Sequence, residues 1–299
     1  MKVLVGGATG FVGSALIDYL TASRVEILRL SRSPSPAGEP TVQWDPASNL
    51  LPAADLETVD AVVHLAGESV TGRWTADKKA NIRSSRIDGT LLLSETLAGL
   101  ERRPKVLVCA SAVGYYGDRG DKLCTEQSAP GQGFLADVVA DWEAATAPAR
   151  EAGIRVVHLR IGVVLSPSGG ALAKMMLPFG LGLGGRVGNG QQYMSWVTLD
   201  DLVRMIDHII IHDDVRGAVN AVAPHAVTNA VFTKALGRAM RRPTVLPLPA
   251  LLVRMLFGEM GTSLLLSSAR VDPVVLRESG YNFVHTTLDE ALIELVRGA

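Results

Sequence analysis

A chain of 299 residues, 47% hydrophobic and 20% charged, carries enough apolar material for a sizeable core, which excludes a disordered protein. A formal net charge of −1 with no basic run argues against a nucleic-acid partner, and two cysteines, Cys109 and Cys124, are too few for a disulfide framework or a zinc site. No apolar run reaches the roughly 18 residues of a membrane span, and Met1-Lys2-Val3-Leu4-Val5 passes straight into a glycine turn with no leader pattern. The expectation is a cytoplasmic protein with no membrane partner and no metal.

Short runs rich in Val, Leu and Ile recur at Lys2–Val5, Val25–Leu30, Thr41–Trp44, Ala61–Ala66, Lys105–Ala110 and Arg155–Leu165, and read as buried parallel strands. Between them, Phe11–Leu20, Lys78–Leu100 and Phe134–Ala152 have helical spacing. Strand alternating with helix implies right-handed crossovers and an α/β, doubly wound parallel sheet of the Rossmann type. Beyond Leu165 eight glycines crowd positions 169–190, which predicts a long loop. Val197–Ile211 and Ala218–Ala223 read as returns to the sheet, although Asp200-Asp201 equally reads as the cap of a helix through Ile211. Val227–Met240, Ala250–Phe257 and Leu288–Val296 read as helices. The expected division is a dinucleotide-binding domain over residues 1–166 and about 194–224, with a smaller substrate-facing lobe over about 167–193 and 225–299.

The spacing Gly7-x-x-Gly10-x-x-Gly13 follows an apolar strand and opens an apolar helix, the context of a dinucleotide pyrophosphate turn. Gly7 permits the tight turn, Gly10 lets the backbone approach the pyrophosphate, and Gly13 lets helix and strand pack closely. Thr9 belongs to the same turn, and the N–H groups of Phe11 and Val12 face the anion. At the end of the second strand, where an acidic residue would hold the ribose 2′-hydroxyl of NAD, the chain has Ser31-Arg32, a cationic site for the 2′-phosphate of NADP.

These pieces, together with Trp44-Asp45-Pro46, Leu65-Ala66-Gly67-Glu68, Arg73-Trp74, Ser85-Arg86, Ser111-Ala112-Val113-Gly114-Tyr115-Tyr116-Gly117, Trp142-Glu143 and Gly190-Gln191-Gln192 leading to Ser195-Trp196-Val197, resemble the extended short-chain dehydrogenase/reductases. The resemblance is to their atypical branch, NAD-dependent epimerase/dehydratase-like, with a C-terminal helical segment from Pro247 to Pro273. It implies a bound NADP with Leu65, Ala66 and Gly67 beneath the adenosine side, Asn81 and Arg86 as neighbours on the following helix, Arg160 at the crevice, and Val163 and Val164 lining the nicotinamide pocket. It also implies a small-molecule substrate, a sugar nucleotide among the candidates, and leaves a homodimer open.

Members of that superfamily transfer protons with Tyr-x-x-x-Lys on the helix after the fifth strand, and this chain departs from the pattern. Leu135 and Val139 stand in those positions, and no tyrosine in the chain has a lysine four residues on. Ser111 ends the fifth strand, where a hydroxyl can donate to a substrate carbonyl, and Tyr115 and Tyr116 beside it are the phenols available to shuttle a proton. Glu68, Gln191, Tyr193 and Trp196 supply polar and aromatic groups for a substrate. The sequence therefore points to an NADP-dependent oxidoreductase or epimerase of the extended short-chain type, acting on a sugar nucleotide or a similar polar carbonyl or hydroxyl compound. The alternative it leaves is an NADP-binding redox sensor or scaffold without turnover, since the Tyr and Lys are gone.

Overall fold

A computed structural model describes residues 1–33 and 38–298. The chain runs β1 (Lys2–Gly6), α1 (Phe11–Ala22), β2 (Glu26–Ser31), β3 (Thr41–Gln43), β4 (Ala61–His64), α2 (Ala76–Ala98), β5 (Val106–Ala112), β6 (Leu123–Cys124), α3 (Phe134–Ala144), α4 (Ala147–Glu151), β7 (Arg155–Ile161) and β8 (Val163–Ser166). It continues through α5 (Gly170–Gly180), β9 (Tyr193–Met194), β10 (Trp196–Thr198), α6 (Leu199–Ile211), β11 (Gly217–Ala221), β12 (Val227–Thr228), α7 (Asn229–Met240), α8 (Ala250–Gly261), β13 (Arg270–Val271), α9 (Val274–Glu278) and α10 (Leu288–Arg297).

Seven strands form one parallel sheet in the order β11-β7-β5-β4-β1-β2-β3. The order reverses between β1 and β4, and the crevice at such a switch point, outside the carboxyl ends of the strands, is where open α/β sheets bind ligands. Alternate residues of each strand face opposite layers: Val3, Val5 and Val63 pack under α1 and α6, while Leu4, Val62 and Leu107 pack under α2, with Trp142 of α3 and Ala149 of α4. Parallel strands covered on both faces carry near-continuous apolar runs, as these do. A third core, built from Phe179, Trp196, Phe232, Leu236, Leu288 and Leu292, joins α5, α7 and α10.

Four expectations need correction. Arg155–Leu165 is two strands, because Gly162 turns the chain against Ser195, whose carbonyl oxygen lies 2.6 Å from where a Cβ would stand. The glycine-rich stretch is not loop throughout: the helix α5 occupies 170–180, with its glycines at the two ends and an apolar interior. Of Val197–Ile211, only the first two residues are strand, in β10, which pairs with β8 outside the main sheet; the rest is α6. Thr198 caps that helix by accepting from the Asp201 N–H at 3.2 Å, and Asp200 and Asp201 occupy its positively polarised first turn. The helix foreseen over Phe134–Ala152 breaks at Ala145-Thr146, with Pro148 opening α4 where its missing N–H costs nothing.

Candidate functional site

The turn between β1 and α1 is built for close approach. Gly7 has φ +78°, open to glycine without strain, and a Cβ there would stand 2.8 Å from the Leu65 backbone. At Gly13 a Cβ would stand 2.1 Å from the Gly7 carbonyl oxygen, so strand and helix touch through this residue. No side chain caps α1, which leaves the first-turn N–H groups, those of Phe11 and Val12 among them, for an anion. Thr9 and Gly10 are exposed beside them. These are the features a dinucleotide pyrophosphate requires, and the residues fit it.

Arg32 follows β2 with its side chain exposed, and its carbonyl accepts from Gln43 Nε2 at 3.4 Å. Ser31 Oγ accepts from the Ser33 N–H at 3.2 Å. Leu65, Ala66 and Gly67 continue from β4, and the Arg86 guanidinium lies against Gly67, donating to the carbonyls of Glu68 and Ile82 at 3.0 and 3.1 Å and stacking 5.1 Å from the Trp142 ring. Asn81 is exposed five residues earlier on α2. Glu68, expected on the substrate side, pairs with Lys78 at 2.5 Å. The hydrogen bond and charge of Lys78, then the charges of Arg32 and Arg86, hold its carboxyl below the usual range. The structure thus places Glu68 near the charges of Lys78, Arg32 and Arg86.

At the carboxyl ends of β5, β7 and β11 three polar residues stand in register across the sheet, Ser111 beside Arg160 and Arg160 beside Asn220. Ser111 Oγ donates to Glu143 Oε1 at 2.6 Å, so its proton is engaged and its lone pairs are what it can offer a ligand. Arg160 grips the same carboxylate with two bonds of 2.8 and 2.9 Å. Burial works against the guanidinium's charge, but the Glu143 bonds and charge outweigh it and hold the group ionised. Tyr116 is fully buried; its hydroxyl donates to Asn220 Oδ1 at 2.7 Å and accepts from Arg160 at 3.0 Å, and burial pushes its pKa up to about 12. Tyr116, expected as a proton shuttle, has its hydroxyl engaged on both sides, and Arg160, expected beside the cofactor, is buried with its guanidinium on Glu143 and Tyr116. Tyr115 is half-buried under the Arg160 guanidinium, 3.5 Å from its ring centroid.

Leu135 and Val139, in the places of the missing pair, lie on α3 with Glu143 four residues further on, so the three share one helix face. Glu143 and Asn220 are the site residues that motif reading missed as a unit. For Asn220 the available signal is a polar residue inserted in an apolar strand; Glu143, on α3, carries no such signal. Val163 and Val164 are half-buried on β8. Of the remaining substrate candidates, Gln191 is exposed and Tyr193 is half-buried with the Arg270 guanidinium 5.2 Å from its ring centroid. Trp196 is a correction: it is wholly buried in the third core, its indole donating to the His225 carbonyl at 3.0 Å, and lines no site. Among the described residues no group of His, Cys, Asp or Glu could hold a metal.

Residues 3–233 match the model of the NAD dependent epimerase/dehydratase family, and residues 248–295 match a domain of unknown function, DUF1731. An epimerase family protein of Mycobacterium bovis is 44% identical over 97% of this chain and 96% of its own length. The crystal structure of the human epimerase family protein SDR39U1 with NADPH superposes with a TM-score of 0.90 at 34% identity, covering 100% of both chains. A nucleoside-diphosphate sugar epimerase of Corynebacterium glutamicum gives a TM-score of 0.81 at 34% identity, covering 99% of this chain and 58% of that one. With most of its length matched by the family and by relatives of this similarity, the chain belongs to the NAD-dependent epimerase/dehydratase family.

Proposed function

We propose that the chain is an NADP-dependent oxidoreductase or epimerase acting on a polar hydroxyl or carbonyl compound, with a sugar nucleotide as the leading substrate class. The observation that carries this reading is the strand, glycine turn and uncapped helix at Gly7–Gly13, opening on the same sheet end that holds Ser111. The human relative crystallised with NADPH supports the cofactor, as does Arg32 at the position that meets a 2′-phosphate. The Corynebacterium relative, named for nucleoside-diphosphate sugars, supports the substrate class.

A nicotinamide dinucleotide bound there would supply hydride acceptance and donation. Gly7, Gly10 and the first turn of α1 bind the pyrophosphate, and Arg32 meets the 2′-phosphate. Ser111, whose O–H donates to Glu143, accepts a hydrogen bond from the substrate hydroxyl and fixes it. Arg160 keeps Glu143 in place for that bond. Tyr115 is the neighbouring phenol free to hold or move the proton, since Tyr116 is committed to Asn220 and Arg160.

A second reading has its own support: Leu135 and Val139 occupy the proton-transfer positions, which fits cofactor binding without turnover. One experiment separates the two. The protein is incubated with NADP or NADPH and a panel of sugar nucleotides, following the nicotinamide absorbance and, for redox-neutral epimerisation, the product by NMR. Turnover is expected, with Ser111→Ala and Tyr115→Phe each lowering kcat by about a hundredfold while NADPH affinity stays unchanged. Turnover untouched by both substitutions overturns the assigned site, and NADPH binding with no turnover on any substrate selects the second reading.

A further inference from the structure

Charge is distributed unevenly along this nearly neutral chain. Residues 216–258 contain six Lys or Arg and no Asp or Glu, and residues 152–199 contain four and none. The fold brings parts of these two stretches together. The segment after α5 runs beside the segment before α8, with the Leu248 N–H donating to the Arg186 carbonyl and the Gly188 N–H to the Leu248 carbonyl, both at 2.8 Å. At Gly185 the approach is so close that a Cβ would meet the Leu246 carbonyl oxygen at 1.8 Å.

This paired segment and α8 expose large aliphatic side chains. Leu181 and Val245 are 67% and 74% exposed, with Leu183 and Leu246 beside them in sequence. On α8, Leu251, Leu252, Met255 and Leu256 fall on one helix face and all are exposed, Met255 at 72%. Monomeric proteins rarely leave an apolar surface of this extent without a use. Lys234, Arg241 and Arg242 line an open groove with Pro243 and Thr244, and Arg254 rises from α8 among the leucines. None of these four cations is in an ion pair among the described residues, whereas Arg238 in the same groove is tied to Asp289.

We propose that this face docks on an anionic lipid surface, its aliphatic side chains entering the boundary between headgroups and acyl chains while Lys234, Arg241, Arg242 and Arg254 meet lipid phosphates. Charge complementarity selects that occupant. A second copy of the chain would set the same unpaired cations against one another, which costs binding. A protein partner of ordinary kind anchors on exposed Trp and Tyr, and this face presents Leu, Val and Met instead. A fluid bilayer accepts aliphatic side chains without requiring shape complementarity, and its negative surface rewards each cation. The expectation of no membrane partner rested on the lack of a spanning run. Among the described residues no helix is long and apolar enough to cross a membrane, and lying on one requires none.

The test is co-sedimentation of the full chain with phosphatidylcholine vesicles, with and without phosphatidylglycerol, at low and high salt. Binding to the anionic vesicles, weakened by salt, is expected. The double variants Arg241→Glu/Arg242→Glu and Leu251→Gln/Met255→Gln should each weaken it by at least about tenfold. All four positions are exposed, so the thermal midpoint should stay unchanged. No binding, equal binding to neutral vesicles, or binding that neither variant weakens overturns the proposal. So does concentration-dependent self-association, read by light scattering, that the Leu251→Gln/Met255→Gln variant abolishes, because the face is then an interface between copies.

Discussion

His64 ends β4 wholly buried, with the Trp44 ring edge-on at 5.7 Å between centroids and its Nδ1 2.8 Å from where a Cβ on Gly6 would stand. A larger residue at position 6 has no room, and the imidazole is accordingly hemmed in. Neither ring nitrogen has a hydrogen-bond partner among the described residues, and burial pushes the pKa down from 6.5 to about 4. The unfolded chain takes up a proton as pH falls through its ordinary value, while the folded protein resists until about 4. The stability associated with the neutral ring is therefore complete above about pH 6.5 and is lost as pH falls towards 4, by up to about 3 kcal/mol. Replacing it with a hydrocarbon of similar size removes both the titration and the two orphaned nitrogens. His64→Leu should match or exceed the parent protein in urea unfolding near about pH 5, and should flatten the fall between about pH 7 and 5. Burial also lowers the pKa of His158 and His208, so a shallower slope of the same sign should persist. Identical pH slopes for parent and variant would remove His64 from the account.

At the level of elements, the strand, turn and helix at the N-terminus assign different work to their glycines. Gly13 is a packing glycine: a Cβ would collide with the Gly7 carbonyl at 2.1 Å, and that backbone is fixed by the Gly10 N–H bond of 2.9 Å. Gly10 is a ligand-facing glycine: it is exposed, its φ of −78° suits any residue, and a Cβ would meet one atom, the Gly7 carbonyl oxygen, at 3.1 Å. Gly13→Ala should therefore cost about 1–3 kcal/mol in urea unfolding. Gly10→Ala should leave the unfolding midpoint nearly unchanged and weaken NADPH, followed by its fluorescence, by more than about tenfold. A Gly10 variant that binds as the parent does would mean that no pyrophosphate approaches this turn.

The same element shows why the fold was so legible in the sequence. Near-continuous apolar strand runs and helices of period 3.6 announce the sheet through β7, and the glycine spacing marks its switch point. What stayed hidden depends on distant contacts. Gly162 ends β7 because Ser195, over thirty residues on, leaves it no space for a side chain, and nothing local distinguishes that glycine from a loop residue. Trp196 read as a ligand group because its neighbours are polar, but the third core that swallows it is assembled from α5, α7 and α10. Ser111 is legible from its place at a strand end; Glu143 reads in the sequence as a structural hydrogen-bonding partner on a helix, but which groups it bonds is hidden, since the Ser111, Arg160 and Asn220 register exists only once β5, β7 and β11 are side by side.

At the scale of the whole molecule, cofactor binding and stability are one equilibrium. A ligand held by the folded chain alone stabilises it by RT ln(1 + [L]/Kd), about 2.7 kcal/mol at a hundredfold excess over Kd. The proposed cofactor site draws on both halves of the sheet: the glycine turn after β1 and Arg32 after β2 on one side of the switch point, and Leu65–Gly67 after β4 on the other. Unfolding either half releases the ligand, so NADPH should raise the thermal midpoint of the whole transition by several degrees rather than splitting it in two. If Arg32 meets the 2′-phosphate, NADH at equal concentration should raise it less. Arg32→Asp should reverse that order, since a carboxylate repels the phosphate and can accept from a free 2′-hydroxyl, with Glu68 and Asp45 nearby adding to the repulsion once the cation is gone. The side chain of Arg32 is exposed, so the unliganded midpoint should change little, and the reversal can be read as a change in recognition. A scan in which both cofactors lift parent and variant equally would detach Arg32 from the 2′-phosphate and leave the turn at Gly7–Gly13 without a preference between the two dinucleotides.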